Sequence, residues 1–165
     1  FETTIGANYQ LYVQEINGVK VEIQIWDTSG QEKFRSLGPI YYRNAAAGII
    51  VFDRTSRNTF ENIPNWIKSF QDAAGSDAIL VIAGNKSDLE DQIAVSNEEA
   101  ENFSKEFECA YFPTSAKENT GLNNIFQYIG KTILEKHPKA FDVIQSGPSL
   151  CEPQQKEESV FMNCC

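Results

Sequence analysis

The amino-acid sequence predicts an α/β fold in which strands of a parallel sheet alternate with helices. Three observations lead to this prediction. Two short unbroken apolar runs, residues 45–52 and 78–83, are typical of strands buried on both faces of a parallel sheet. Segments with helical apolar spacing lie between and after these runs. A region of two-residue alternation precedes them, and it indicates half-buried strands.

A hairpin is predicted near the start of the chain. Residues 9–16 alternate loosely between apolar and polar types, and residues 19–25 alternate strictly. Asn17 and Gly18 lie between the two segments, and this dipeptide favours the type I′ turn that joins two antiparallel strands. The sequence therefore predicts a hairpin before the parallel part of the sheet.

Three helices are predicted from apolar residues at helical spacing. The first lies between the two apolar runs, has Pro64 near its start, and presents one apolar face formed by Phe60, Ile63, Trp66, Ile67 and Phe70. The second begins at Ser96 with Glu99 three residues later, the pattern of a capping box. A short strand follows at residues 111–112. The last helix ends before Pro138 and has an apolar side formed by Leu122, Ile125, Phe126, Ile129 and Ile133.

Composition and charge restrict the class of protein. A net charge of −9 and a pI near 4.6 give no basic surface for a phosphodiester backbone, which argues against nucleic-acid binding. No apolar run approaches the roughly 18 to 20 residues that span a bilayer. The cysteines lack the spacing of a zinc site. We expect one domain, residues 1–137, and a flexible tail, residues 138–165, rich in Gln, Ser, Pro and Glu.

A loop for phosphate and metal is predicted after the second strand of the hairpin. Asp27 stands at the end of that strand, where a carboxylate suits Mg²⁺ through a bridging water. Gly30 follows three residues later and allows a backbone N–H to approach a terminal phosphate, because no Cβ stands in the way. The D-x-x-G pattern is weak by itself, since a surface turn of small polar residues has the same composition.

Two more polar loops follow later strands, and their chemistry matches a guanine base. The candidate base-binding residues are Asn85, Lys86, Asp88, Ser115, Ala116 and Lys117. Ionised Asp88 can accept both the N1–H and the exocyclic amino protons of guanine, whereas adenine has a lone pair at N1 and no 2-amino group. The stem of Lys86 can cover the ring. Asn85 can pin either the loop or the base edge, and a backbone N–H near Ala116 can donate to O6.

These three motifs, D-x-x-G, N-K-x-D and S-A-K, each placed after a strand, resemble the nucleotide loops of Ras-superfamily small GTPases. Finer matches are similar to the Rab family: IGANY at 5–9, IWDTSGQE at 25–32, KFRSL at 33–37, YYR at 41–43 and the closing Cys164-Cys165. The resemblance covers residues 1–137 and implies the P-loop NTPase (Ras-like) three-layer fold. Residues 37–43 are similar to the endocytic, early-endosome Rabs.

The resemblance implies roles for individual residues. Thr4 and Asp27 would bind Mg²⁺ together with GTP or GDP, and Gln31 would orient the attacking water. The effector-contacting positions that it implies are Ile5, Tyr9, Trp26 and Tyr41, the last three as an aromatic triad. The family usually has Phe at position 9 and Ala at position 29. Tyr9 and Ser29 therefore add hydroxyls that bear on partner choice and on the hydrolysis rate.

A G-x-x-x-x-G-K-[ST] loop, which the family uses to hold the phosphates, does not occur in these 165 residues. The chain begins at Phe1 within patterned sequence, so we expect the functional protein to be longer. The first strand, the P-loop and the first helix of the family's fold would then precede this chain. Because the family places that strand in the middle of the sheet, we also expect unpaired strand edges there.

The terminal Cys164 and Cys165 resemble the Rab double-cysteine signal for two geranylgeranyl groups. The tail has no basic cluster, and a single lipid anchors only marginally, so two lipids are expected to hold the protein. The resemblance implies a monomer at the cytoplasmic face of endosomal or vesicle membranes that cycles with the cytosol. Its implied partners are effectors, an exchange factor, a GTPase-activating protein, a GDP-dissociation inhibitor and the prenylation machinery.

One alternative to a GTP-hydrolysing switch stays open on the sequence, and a second fails on the chemistry of Asp88. A Rab-like pseudo-GTPase would act as a nucleotide-free membrane interaction module, although the intact Asp27, Asn85 and Asp88 argue against a long loss of chemistry. An ATP-using P-loop enzyme conflicts with the acceptor-only carboxylate of Asp88, which adenine cannot satisfy. The upstream coding sequence discriminates between switch and module, since only the switch needs a P-loop.

Overall fold

The structure is a computed structural model that describes residues 7–28, 38–136 and 158–164. Its strands are β1 (Ala7–Ile16), β2 (Val19–Thr28), β3 (Ala47–Asp53), β4 (Ile79–Asn85), β5 (Ala110–Pro113) and β6 (Glu158–Cys164). Its α-helices are α1 (Gly38–Tyr42), α2 (Arg57–Glu61), α3 (Ile63–Ala74), α4 (Asn97–Glu106) and α5 (Leu122–Lys136), and a short 3₁₀ helix spans Glu90–Gln92. Strands and helices alternate along the chain, which confirms the predicted α/β class.

The strands form one six-stranded sheet in the order β1-β2-β6-β3-β4-β5. β1 pairs antiparallel with β2, and the other neighbouring strands run parallel. The carboxyl ends of the parallel strands therefore meet at one edge of the sheet. Asp27, Asp53 and Asn85 stand at the ends of β2, β3 and β4 on that edge. In open α/β sheets this is the edge at which ligands bind.

The predicted hairpin is confirmed. β1 and β2 pair from Ala7 opposite Thr28 to Ile16 opposite Val19. Asn17 and Gly18 have φ values of 52° and 79°, and a type I′ turn requires positive φ at both central residues. Asn and Gly adopt this backbone conformation at the lowest cost, so the local sequence determines the register of the hairpin.

Helices cover both faces of the sheet, which gives three layers. On one face α5 packs its buried Ile125 and Ile129 against the sheet. On the other face α2, α3 and α4 bury a second cluster, which includes Phe52, Ile63 and Trp66. Burial of each such side chain contributes about 1.5–3 kcal/mol, so the two clusters supply the main stabilisation of the sheet.

The first predicted helix is in fact two helices. α2 ends at Glu61 and α3 begins at Ile63, with Asn62 between them. Pro64 lies in the first turn of α3 and has no N–H to donate to the turn before it, so a single continuous helix would lose a backbone hydrogen bond there. The predicted apolar face is confirmed, since Phe60 on α2 and Phe70 on α3 are both buried.

The capping box at α4 is only half formed. The Ser96 side chain accepts a hydrogen bond from the Glu99 backbone N–H at 3.1 Å, as predicted. The Glu99 carboxylate, however, accepts two hydrogen bonds from the Arg57 guanidinium, at 2.7 and 2.8 Å. A bidentate charged partner is stronger than a neutral backbone N–H, which explains why the carboxylate turns towards α2.

The expectation of a wholly flexible tail is wrong for residues 158–164. They form β6, which runs parallel between β2 and β3 with Val160 opposite both Ile25 and Ala47. The expectation of unpaired edges on β2 and β3 is wrong for the same reason. Two facing strand edges offer rows of backbone donors and acceptors, and a short extended segment can satisfy both rows at once. Low apolar content over the whole tail hid this short segment.

Candidate functional site

The N-K-x-D and S-A-K loops lie against each other, as predicted for loops that follow the neighbouring strands β4 and β5. The Thr114 N–H donates to the Gly84 carbonyl at 2.9 Å, and the Ser87 N–H donates to the Thr114 carbonyl at 3.0 Å. Ser115 is buried, and its N–H and carbonyl both bond to Thr120, which closes the second loop on itself. Backbone hydrogen bonds therefore join the two loops into one unit.

Asp88 is held by a short hydrogen bond from the Ser115 hydroxyl, with 2.6 Å between Oγ and Oδ1. This bond is the main reason why the pKa of Asp88 lies below its ordinary value, and the charges of Lys117 and Lys86 lower the pKa further. The carboxylate is consequently ionised at neutral pH and acts only as an acceptor. Each carboxylate oxygen has two acceptor positions, so the bond to Ser115 leaves acceptor capacity for a ligand.

Asn85 pins the loop, which was one of the two roles that the sequence left open. Its Oδ1 accepts a hydrogen bond from the Ala116 backbone N–H at 3.0 Å. A neutral amide thus connects the end of β4 to the S-A-K loop. Lys117 follows in the same loop with an exposed side chain.

Lys86 forms an ion pair that the sequence did not predict. Its Nζ lies 2.6 Å from Oδ2 of Asp53, the last residue of β3. Partial burial raises the pKa of Asp53, but hydrogen bonds from Lys86 and Thr55 outweigh this effect and lower the pKa below its ordinary value. The only sequence feature that could have indicated this ion pair is the acidic residue Asp53 at the end of β3, the strand before β4.

Arg54 is a second residue that the sequence analysis missed. Its guanidinium is buried and donates to the Ser87 hydroxyl at 3.0 Å and to the Val95 carbonyl at 3.3 Å. The Ser87 hydroxyl in turn donates to the Gly84 carbonyl at 2.9 Å. A buried arginine is thus hydrogen-bonded to the N-K-x-D loop through the Ser87 hydroxyl.

Asp27 is the last residue but one of β2 and lies at the same edge of the sheet as these loops. A carboxylate oxygen is the donor type that Mg²⁺ takes, so this residue fits the implied metal. Three further implied site residues lie outside the described residues: Thr4 for Mg²⁺, Gly30 for the terminal phosphate and Gln31 for the attacking water. Within the described residues, no group of three or more His, Cys, Asp and Glu side chains could hold a metal ion by itself.

Comparison with known proteins identifies the family. A family model described as "Ras family" matches residues 1–135. RABF2a of Arabidopsis thaliana is 42% identical over 167 residues, which cover 99% of this chain and 80% of the relative. Rab5 of Nicotiana tabacum is 37% identical over 99% of this chain and 80% of its own length, and Rab-8A of Gallus gallus is 35% identical over 98% and 80%. This chain belongs to the Rab family of Ras-superfamily small GTPases.

Membership of the Rab family carries general properties. Such small GTPases act in vesicle traffic, and Ras-family GTPases bind guanine nucleotide with Mg²⁺. Rab proteins also have effectors, exchange factors, GTPase-activating proteins and a GDP-dissociation inhibitor as partners. The arrangement of Asn85, Asp88 and Ser115 at the carboxyl edge of the sheet agrees with guanine as the base.

The three aromatic residues implied to contact effectors lie together in this Rab-family chain. The ring centroids of Tyr9 and Trp26 are 5.2 Å apart, and those of Trp26 and Tyr41 are 6.1 Å apart. Tyr9 is 52% exposed, so its hydroxyl-bearing ring is available to a partner. The fourth implied position, Ile5, lies outside the described residues.

The implied lipid-attachment site of the Rab-family chain is only partly described. Cys164 is the last residue of β6, where its backbone lies opposite Val51 of β3, and Cys165 lies outside the described residues. No helix in the described part of the chain is long and apolar enough to cross a membrane.

Proposed function

We propose that this Rab-family chain is part of a switch that binds GTP and GDP, hydrolyses GTP, and recruits effectors to endosomal or vesicle membranes. The observation that carries the proposal is the ionised carboxylate of Asp88, fixed by Ser115 within two interlocked loops. A fixed acceptor of this kind recognises a ligand edge with two adjacent N–H donors. Guanine has such an edge at N1 and the 2-amino group.

The remaining residues of the two loops would complete the recognition of the base. The aliphatic stem of Lys86 would cover one face of the ring. A backbone N–H near Ala116 would donate to O6, in a loop that Asn85 already holds in place. Because these groups are connected before any ligand binds, little of the binding free energy is spent on ordering them.

Hydrolysis would depend on Gln31 after β2, Thr4 before β1 and Asp27 near the end of β2. Gln31 would orient the attacking water in line with the γ-phosphate. Thr4 and Asp27 would hold Mg²⁺, which neutralises charge on the phosphates when it is bound. A P-loop in a segment before Phe1 would hold the phosphates, and we expect the full-length protein to contain one.

Membrane attachment is proposed through two geranylgeranyl groups on Cys164 and Cys165. The endosomal assignment rests on residues 37–43, which resemble the endocytic Rabs. The triad of Tyr9, Trp26 and Tyr41, in which Tyr9 is exposed and the other two rings are partly buried, would be the face that effectors contact in the GTP state. We expect the protein to act as a monomer.

Competition binding tests the guanine assignment on the full-length protein. GDP should displace a fluorescent guanine nucleotide, and ADP should fail to do so at roughly 10⁴-fold higher concentration. Asp88→Asn should shift the preference from GDP to xanthosine diphosphate, because the amide donates to the 2-oxo group of xanthine and still accepts N1–H. Asp91→Asn, in the exposed 3₁₀ helix three residues later, is the matched control and should keep the preference for GDP. Equal affinity for ADP would refute the proposal.

The second candidate function is the nucleotide-free membrane interaction module. One observation favours it: β6 fills the position between β2 and β3 where the family has its first strand, so the sheet of this chain is continuous without a P-loop segment. The upstream coding sequence decides between the candidates. A strand followed by G-x-x-x-x-G-K-[ST] supports the switch, and its absence supports the module.

A further inference from the structure

We propose that Asp53 is a positioning residue of the guanine site, which acts through Lys86 by holding the lysine stem in the place where it covers the base. This inference rests on the proposed function. It assigns to the end of β3 a part in nucleotide retention that neither the D-x-x-G nor the N-K-x-D motif includes. The ion pair between Lys86 Nζ and Asp53 Oδ2, at 2.6 Å, is its starting point.

The carboxylate of Asp53 is itself fixed. Its Oδ1 accepts hydrogen bonds from the Thr55 backbone N–H at 2.8 Å and from the Thr55 hydroxyl at 2.6 Å. Its own backbone N–H donates to the Thr59 hydroxyl at 3.0 Å. One oxygen is therefore occupied by the turn that follows β3, and the other is directed to Lys86. A carboxylate held in this way determines where a flexible partner rests.

The side chain of Lys86 is flexible and half exposed, so a charged partner is needed to hold it in one position. The residue has a φ of 62°, in the left-handed region, and its side chain is 49% exposed, whereas that of Asp53 is 19% exposed. A lysine side chain has several rotatable bonds, and each must be ordered when the stem lies on a ring. The ion pair orders them beforehand, so the nucleotide loses less affinity to this ordering.

The loop backbone depends on other contacts, so the role of Asp53 can be tested separately from the fold. The Arg54 N–H donates to the Asn85 carbonyl at 3.0 Å, and the Arg54 guanidinium donates to Ser87. Asp88 is held by Ser115 on the opposite side of the loop. Removal of the charge at Asp53 leaves all these hydrogen bonds in place.

The test compares Asp53→Asn with Asp72→Asn in the full-length protein, with release of fluorescent GDP as the measurement. Asp53→Asn keeps an acceptor for Thr55 and loses the charge that holds Lys86. We expect GDP release to become about two- to fivefold faster, the range that a partly exposed ion pair supports. Asp72→Asn breaks the exposed pair between Lys68 and Asp72, 2.8 Å long and on α3, and should leave release unchanged.

Release of a second nucleotide, inosine diphosphate, tests whether Asp53 has only a structural role in the loop. Inosine diphosphate lacks the 2-amino group that Asp88 would accept, but its ring presents the same face to Lys86. Asp53→Asn should therefore speed the release of GDP and of inosine diphosphate by the same factor. A variant that displaced Asp88 would instead speed GDP release more than inosine diphosphate release, and that outcome would overturn the proposal.

A double variant shows whether Asp53 acts through the lysine. Lys86→Met keeps the stem and removes the ammonium group, so adding Asp53→Asn to it should change GDP release no further. Additive effects, or an unchanged release rate in Asp53→Asn alone, would overturn the positioning role while the guanine site stands. If the wild-type protein binds no GDP, the proposed function fails and this inference fails with it.

Discussion

Gly48→Ala tests how tightly α3 packs on the sheet beneath the candidate site. Gly48 lies in β3, opposite Leu80 of β4 and Phe161 of β6. A Cβ at this position would lie 2.8 Å from Cζ of Phe70 and 2.9 and 3.0 Å from its two Cε atoms. Carbon atoms in contact prefer about 3.5–4.0 Å, so the Phe70 ring would have to move by roughly 1 Å.

The expected cost follows from the confinement of that ring. Phe70 is 4% exposed and packs on Tyr42 with ring centroids 5.6 Å apart, so it has little room to move. Overpacking of this kind costs about 1–3 kcal/mol. Replacement of glycine within a strand regains about 0.5–1 kcal/mol. We expect Gly48→Ala to lower the free energy of unfolding by about 1–2 kcal/mol.

Urea denaturation measures this change as a lower midpoint at an unchanged slope. Phe70→Leu shortens the obstructing side chain and leaves a cavity of its own. In that background Gly48→Ala should be neutral or stabilising, with a coupling free energy of about 0.5–3 kcal/mol between the two sites. Wild-type stability of Gly48→Ala, or strictly additive effects of the two substitutions, would refute the packing argument.

Four further predictions concern the site, the tail and a partly buried thiol. Gln31→Leu should slow single-turnover phosphate release and leave nucleotide affinity nearly intact, because the amide positions water and not the base; hydrolysis at the wild-type rate would exclude the role. Replacement of Cys164 and Cys165 together by Ser should move the protein from membranes to cytosol, and each single replacement should give weaker, reversible attachment, as cell fractionation would measure. Burial raises the pKa of Cys109 to about 11, so the Cys109 thiol of the native protein should resist alkylation at pH 8, and fast alkylation there would contradict this. The free energy of unfolding should fall as pH rises from about 9 towards 11, because the folded state then holds the thiol proton more tightly than the unfolded state. Val160→Pro should destabilise the 165-residue chain by about 1–3 kcal/mol in urea denaturation, because a proline in a central strand leaves a backbone acceptor unpaired; an unchanged midpoint would contradict a docked β6.

Much of the fold was predictable because local patterns and tertiary structure agree. The unbroken apolar runs at 45–52 and 78–83 became β3 and β4, since both faces of each strand are covered by helices. The Asn17-Gly18 turn fixed the hairpin by backbone preference alone. The break before Pro64 was not predictable from apolar periodicity, because the periodicity continues across the break and does not register a missing N–H.

The candidate site was predictable only in part, for a related reason. The contacts of Asn85 and Asp88 with the S-A-K loop follow from the topology, since parallel strands bring successive loops to one edge of the sheet. Asp53 and Arg54 were missed because an acidic or basic residue at a strand end has no pattern of its own. Their contacts are with Lys86 and Ser87, which lie more than thirty residues away in sequence.

The same tail cannot serve as the central strand and as a membrane anchor at once. In β6 the backbone of 158–164 pairs with β2 on one side and with β3 on the other, and Cys164 ends beside Val51 within the sheet. A lipid on Cys164 must reach the bilayer, so membrane attachment requires these backbone hydrogen bonds to open. A strand from a preceding segment would satisfy the same two edges and release the tail. The GTP-binding switch therefore requires a free tail, and the nucleotide-free module with a docked β6 requires another means of attachment. Val160→Pro separates the two, because it should destabilise only a protein in which β6 occupies the sheet.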